Sequence, residues 1–443
     1  MSDLPQVGSV IELDASDQPY GPDAIGRLDG LVVFVDAVPG DRVRARVTEV
    51  HPRFVRAVTT EVLAASPHRV APECAVAGRC GGCQWQAMDY PRQLAAKQQA
   101  VHDALERIGG WQEPPMQPIV ASPRIRRYRN KARYSIAAAA GTVRAGYAGR
   151  RSHEIIPIRR CPLNMDGIDA ALDAAIGLAN EARWGSVAAS LRSLAARESL
   201  DTGEVVVRVA VEREMDLRPF ANALVESCGR VTGVTGVTAD RRGRERLLRG
   251  EGRLTECVGP WRYRVSASSF FQVNPYATSA LVEAVREATA LAGGEHVLDA
   301  YGGVGLFSVA LAGRRAPQTA RITLVEADPG AVADARRVLR AAAVETATVV
   351  REDVARFSWR LGADAGADVV VCDPPREGAG RAALTAMDSP RTRRFVYVAC
   401  DPTSLARDSA LLRGMGYRLR WARPLDLFPH TYHVETVALL ERP

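Results

Sequence analysis

The sequence predicts an α/β protein in three parts: an OB-like β-barrel, a mixed α/β middle, and a C-terminal Rossmann-like domain built on a parallel sheet. Three observations predict it. Residues 7–65 break into short strands with period-2 alternation and turn residues between them. From about residue 270, short and nearly continuous apolar strands alternate with helical segments, the mark of a parallel sheet covered on both faces. The length, 443 residues, exceeds what one hydrophobic core holds. Domains are expected over 1–66, 67–265 and 266–443.

In the first part, Val10–Leu13 and Gly30–Val38 read as strands, and Pro39-Gly40-Asp41 as a turn. Val43, Ala45 and Val47 then alternate with Arg42, Arg44 and Arg46, which sets three arginines on one face and small apolar residues on the other. Residues 93–108 form an amphipathic helix with Leu94, Val101, Leu105 and Ile108 on one side, a candidate to pack on the C-terminal domain. Residues 165–200 are alanine-rich and read as helical, while 204–212 and 229–238 read as strands. Asn274-Pro275 supplies a cap and first turn for a helix running to about Leu291. Strands follow at His296–Ala300, Arg321–Val325, Asp368–Cys372, Arg394–Cys400 and Val434–Glu441.

A 47% apolar and 25% charged composition excludes wholesale disorder. No apolar run reaches the ~18 residues of a membrane span, and the first residues lack a secretory pattern, so a cytoplasmic protein without membrane association is expected. Of 58 cations, all but Lys97 and Lys131 are arginine, a bias that an arginine-favouring genome explains as well as binding does. The distribution says more: residues 1–66 hold six arginines against ten acids, whereas 67–160 hold sixteen cations against six acids. Arg124–Arg133 (RIRRYRNKAR) carries six cations and no acid, which suits a polyanion or a solvated loop.

Eight cysteines are too few for a disulfide scaffold of this size. Cys74, Cys80 and Cys83 form C-x5-C-x2-C, and Cys161 follows in a strand-like context. Four such thiols suit an iron–sulfur cluster or a structural zinc.

Val297–Phe307 (VLDAYGGVGLF) is a strand, a glycine turn and a helix start, and Glu326 closes the next strand. Glycines at 303 and 305 let the backbone approach a ligand, and an acid at that distance meets ribose hydroxyls. The order D-x-Y-x-G-x-G, without a pyrophosphate cradle, suits S-adenosylmethionine better than a dinucleotide. Asp353 is placed either to meet the adenine or to cap a helix. Pro374-Pro375 forces an extended loop that projects Asp373 from the carboxyl edge of the sheet. Cys400 ends a strand just before a helix capped by Asp401 or Thr403, whose dipole is expected to favour the thiolate. Glu435 lies at the start of the last strand, as a base or as a surface carboxylate. A thiolate beside a methyl donor suits carbon-5 methylation of uracil: addition at carbon 6 makes carbon 5 nucleophilic, and a base then removes the carbon-5 proton.

With these residues in view, the chain resembles the RNA uridine-5-methyltransferases that carry an N-terminal TRAM domain and, in ribosomal-RNA members, a [4Fe-4S] cluster. The matching stretches are VPGDRVRARV, C-x5-CGGC with Cys161, SSFFQVNP, DAYGGVG, CDPPREGAG, VYVACDPTSLARD and FPHTYHVET. The resemblance implies S-adenosylmethionine as methyl donor, Cys400 as nucleophile, Glu435 as proton acceptor, and Gln272, Tyr301, Glu326 and Asp373 as cofactor or substrate contacts. It implies that Cys74, Cys80, Cys83 and Cys161 hold the cluster, and it favours ribosomal RNA over transfer RNA, with no DNA partner. Leu306 stands where many family members carry a cofactor-contacting asparagine, so that contact is not carried over. Two other readings remain at this point: an amino-methyltransferase using Asp-Pro-Pro, weakened by Arg376 where a stacking aromatic is needed, and a non-enzymatic RNA-binding factor.

Overall fold

The computed structural model describes residues 5–139, 142–238, 245–312, 320–359 and 366–443. Its N-terminal strands, Val10–Asp17, Ala24–Leu28, Leu31–Val35, Arg42–His51 and Phe54–Ala64, close into a barrel in the order first, second, third, fifth, fourth. The alternation holds: Val43, Ala45 and Val47 are buried in the barrel, while Arg42 and Arg46 are exposed. The arginine stripe is largely neutralised, because Glu12 lies 2.8 Å from Arg44 and 3.7 Å from Arg42, and Glu61 also pairs with Arg44.

The middle of the chain forms a mixed sheet whose central members are Lys131–Ala139, Leu191–Glu198 and Val205–Val211. Helices Asp166–Ala179 and Arg218–Ser227 pack on it. The alanine-rich stretch read as helical to residue 200 turns to strand at Leu191. There a place between two strands, with Leu194 and Ala196 buried, outweighs helix propensity. The RIRRYRNKAR segment is not a free basic loop. Arg126 pairs with Glu73 at 2.7 Å, Arg127 with Asp169 at 2.9 Å, and Tyr128 and Asn130 are buried.

The C-terminal sheet runs Ala347–Arg351, Arg321–Glu326, His296–Ala300, Val369–Cys372, Arg394–Ala399, Glu435–Glu441, Arg418–Leu425. The first five are parallel and Glu435–Glu441 enters antiparallel to both neighbours. The edge strand Arg418–Leu425 is absent from the sequence reading, since its arginines hide the apolar face. The hairpin Arg253–Val258 with Trp261–Ser266 buries Val258, Trp261, Tyr263 and Val265 in the same core as helices Pro275–Thr289 and Leu306–Ala312. Helix Tyr90–Arg107 buries Val101 and Leu105 in the core on the other face of the sheet, beside Leu405 and Leu412 of helix Pro402–Gly414. Among the described residues no helix is long and apolar enough to cross a membrane.

Candidate active site

Strand register brings the predicted chemistry to one edge. Ala300 pairs with Cys372, and Cys372 with Tyr397, so Tyr301 and Asp373 leave adjacent strand ends. Ala399 pairs with Thr436 across an antiparallel ladder. The next residue on either strand is Cys400 on one side and Glu435 on the other, which sets the two opposite each other; Cα atoms of facing residues in such a ladder lie about 4.5–5.5 Å apart.

The turn after Ala300 is built for close approach. A Cβ on Gly302 would sit 2.5 Å from Leu324 Cγ, so only glycine fits there. Gly303 has φ +54° with open space around its missing Cβ, and Gly305 has φ +89°. Tyr301 itself is left-handed at φ 59°. Glu326 accepts from the Gly303 N–H at 3.0 Å and from the Asp328 N–H at 2.7 Å, so its carboxylate borders the turn. Buried Asp299 accepts from Ser308 N at 3.0 Å and from Ser308 Oγ, while its Oδ1 has no partner. This open cradle, rimmed by acceptors, fits the ribose and amino group of an S-adenosyl ligand. Asp353 caps the short turn Val354–Arg356 through Ala355 N at 2.9 Å. Gln272 is buried just ahead of Asn274, whose Oδ1 caps helix Pro275–Thr289. Leu306 is buried and gives its carbonyl to Tyr263.

Electrostatics at Cys400 differ from the sequence expectation. Burial pushes the thiol up to about 12; Glu435, Asp373 and Asp401 push the same way and Arg376 opposes them. Asp401, whose Oδ1 accepts from Thr403 N at 2.9 Å and Ser404 N at 3.2 Å, sets a carboxylate at the start of the following helix, beside the thiol. Burial and the Asp299 charge push Asp373 up to about 7, and burial with Asp373 nearby holds Glu435 well above the carboxylate range. Glu435 and the Cys400 thiol thus rest protonated in a low-dielectric site, with Asp373 titrating near neutrality beside them, a setting in which a bound cation would favour the ionised forms.

A small cavity between the loop that follows the barrel and residues 129–163 of the central region is lined by Cys74, Cys80, Cys83 and Cys161. Arg129 and Tyr147 line it too, and Arg129 Nε and the Tyr147 hydroxyl are enclosed there without partners. Gly82 N–H points at Cys80 Sγ at 3.4 Å. Orphaned donors facing four thiols fit an anionic metal–thiolate group in that space. Burial raises the Cys83 thiol to about 12, so that ligand would ionise only as a metal binds.

A model for the tRNA (uracil-5-)-methyltransferase family matches residues 258–443, and one for the TRAM domain matches 5–60. An uncharacterized RNA methyltransferase of Gloeobacter violaceus is 36% identical over 98% of this chain and 97% of its own. Another from Halalkalibacterium halodurans is 34% identical over 98% and 97%. The chain belongs to the S-adenosylmethionine-dependent RNA (uracil-5-)-methyltransferase family. The enzyme also superposes on the Pyrococcus abyssi tRNA (uracil-54, C5)-methyltransferase, solved with S-adenosyl-L-homocysteine, at TM-score 0.74 and 25% identity, covering 97% of this chain and all of that one.

Several residues around the enzyme's Cys400 escaped the sequence reading. Tyr20, from the barrel, donates its hydroxyl to Asp401 Oδ2 at 3.1 Å and stacks edge-on against Tyr432. Arg376 donates to the Tyr432 hydroxyl at 3.1 Å and lies 3.5 Å from Asp401. Asp408, fully buried, accepts from Ala379 N, Gly380 N and the Tyr397 hydroxyl, pinning the loop after Asp373. The D of SLARD was its only signal.

Proposed function

We propose that the enzyme forms 5-methyluridine in ribosomal RNA, with Cys400 as nucleophile and Glu435 as proton acceptor. The observation that carries this reading is the antiparallel register that faces Cys400 with Glu435 beside Asp373 and the glycine turn. Tyr301, Gly303, Gly305, Glu326, Asp373, Gln272 and Asp353 are the residues proposed to hold the cofactor. Bound S-adenosylmethionine supplies the methyl group and a positive sulfonium. Cys400, once ionised, adds to carbon 6 of the flipped uracil. Glu435, as carboxylate, takes the proton from methylated carbon 5; the electron pair restores the ring double bond and the Cys400 sulfur leaves. Asp373 shares the local charge with Glu435, so that one of them holds a proton while the other is ionised.

The same reading divides the chain at residues 66 and 265 into an RNA-presenting barrel, a central domain and the catalytic domain, acting in the cytoplasm. Cys74, Cys80, Cys83 and Cys161 are assigned to a [4Fe-4S] cluster, with zinc as the alternative. The resemblance links these cysteines to ribosomal-RNA members, which is the basis for ribosomal over transfer RNA. The amino-methyltransferase reading lacks support, since the residue after Asp-Pro-Pro is Arg376, committed to Tyr432 and Asp401.

The test is to incubate the enzyme with labelled methyl donor and unmodified ribosomal or transfer RNA, then digest and map the product. 5-Methyluridine in one ribosomal fragment supports the assignment; label only in transfer RNA overturns the substrate, and label on a nitrogen overturns the chemistry. Iron and acid-labile sulfide in protein purified without oxygen, against zinc, decides the metal.

A further inference from the structure

The segment that leads into Glu435 is held carbonyl by carbonyl. Leu427 O accepts from Asn274 Nδ2 at 3.0 Å, Phe428 O from Lys97 Nζ at 3.0 Å, Pro429 O from the Tyr128 hydroxyl at 3.1 Å. His430 O accepts from the backbone N–H groups of Gln84 and Trp85, at 3.1 and 3.0 Å. Those two residues directly follow Cys83, and Gln84 reaches back to Gly81 O at 2.8 Å. One buried side chain spans both segments. Gln93 is fully buried, and its Oε1 accepts from His430 N at 2.8 Å. Its Nε2 donates to Met88 O at 2.8 Å and to Trp85 O at 3.1 Å, and lies 3.2 Å from His430 Nδ1.

We propose that Gln93 is a positioning residue that fixes the Glu435 loop against the cysteine loop. It rests on the Cys400–Glu435 reading above. Its side chain uses both donor hydrogens and its acceptor on the two loops, so an apolar replacement strands the Met88 carbonyl and the His430 N–H in a dry interior and leaves the Trp85 carbonyl only its bond from Met88 N. The loop then loses one fixed point five residues from Glu435, while Cys400, on the far side of the strand pair, keeps its own supports in Asp401 and helix Pro402–Gly414. The two half-reactions therefore separate. Addition of Cys400 and methylation proceed, but removal of the carbon-5 proton slows, and the enzyme stays joined to RNA through the Cys400 sulfur–carbon 6 bond.

The experiment compares wild type with Gln93→Met and Gln93→Glu, the second keeping an acceptor for His430 N–H. Each is incubated with methyl donor and ordinary or 5-fluorouridine-substituted RNA, and resolved on denaturing gels alongside turnover. Thermal melting and S-adenosylhomocysteine binding check the fold. The expected result for Gln93→Met is turnover lowered about 10-fold or more, trapping on 5-fluorouridine RNA within about threefold of wild type, and a covalent enzyme–RNA band on ordinary RNA that wild type shows only faintly. Gln93→Glu shows the same band, weaker. Unchanged turnover, or trapping and turnover falling together in the variant that keeps its fold, overturns the inference. If wild type itself fails to trap 5-fluorouridine RNA, the Cys400 reading fails instead.

Discussion

Replacing Lys97 by methionine tests the frame of the site most severely. Lys97 Nζ lies 2.6 Å from Asp426 Oδ1 and 3.0 Å from Phe428 O, and both side chains of the ion pair are fully buried. Methionine removes the ammonium but leaves Asp426 in place, its Oδ2 already without a partner. Stranding one member of a buried pair costs about 3–5 kcal/mol. For a cooperative unit the size of the C-terminal domain, each kcal/mol moves the melting temperature by about 2–4 °C, so Lys97→Met should melt roughly 6–20 °C lower. The double variant Lys97→Met/Asp426→Leu removes both charges and should recover most of that loss. Calorimetry of the three proteins without ligand is the assay. A single variant within about 1 °C of wild type, or a double variant no better than the single, would refute the reasoning.

Three further outcomes are expected. Gly302→Ala forces a Cβ 2.5 Å from Leu324 Cγ; overpacking of about 1–3 kcal/mol should weaken S-adenosylhomocysteine binding roughly 5- to 150-fold by titration calorimetry, and unchanged affinity would contradict the cradle. Tyr20→Phe deletes the 3.1 Å hydrogen bond to Asp401 and should slow methylation about 2- to 10-fold with RNA affinity unchanged; an equal loss of RNA affinity would assign Tyr20 to binding instead. Because the resting Cys400 thiol is held up at about 12, its alkylation by iodoacetamide, followed residue by residue by mass spectrometry, should rise about tenfold per pH unit from pH 7 to 9. A plateau near neutrality would mean a preformed thiolate.

Much of this arrangement is legible in the sequence because local rules suffice for it. The barrel follows from Val43, Ala45 and Val47 alternating with arginines, and the parallel strands from short apolar runs. Asn274 and Asp401 are found where caps were expected. What stays hidden depends on pairing across long separations. Leu191–Glu198 reads as helix until a strand on either side claims it. The Cys400 thiol was expected to ionise easily because the helix after it was visible, whereas its burial beside Glu435 and Asp373 was not. Tyr20 and Gln93 carry no motif, since Asp401 and His430, the partners that tie them to the site, are hundreds of residues away. Lys97 did leave a trace: one of two lysines among 58 cations, it occupies a fully buried slot against Asp426.

The central claim is that the sulfur of residue 400 bonds to the uracil ring. Incubating the enzyme with methyl donor and 5-fluorouridine-substituted ribosomal RNA, then digesting and sequencing the linked peptide by mass spectrometry, tests it most directly. The account predicts a methylated fluoropyrimidine attached to Cys400 and no adduct with Cys400→Ala. An adduct on another cysteine, or methylation that persists in Cys400→Ala, would contradict it.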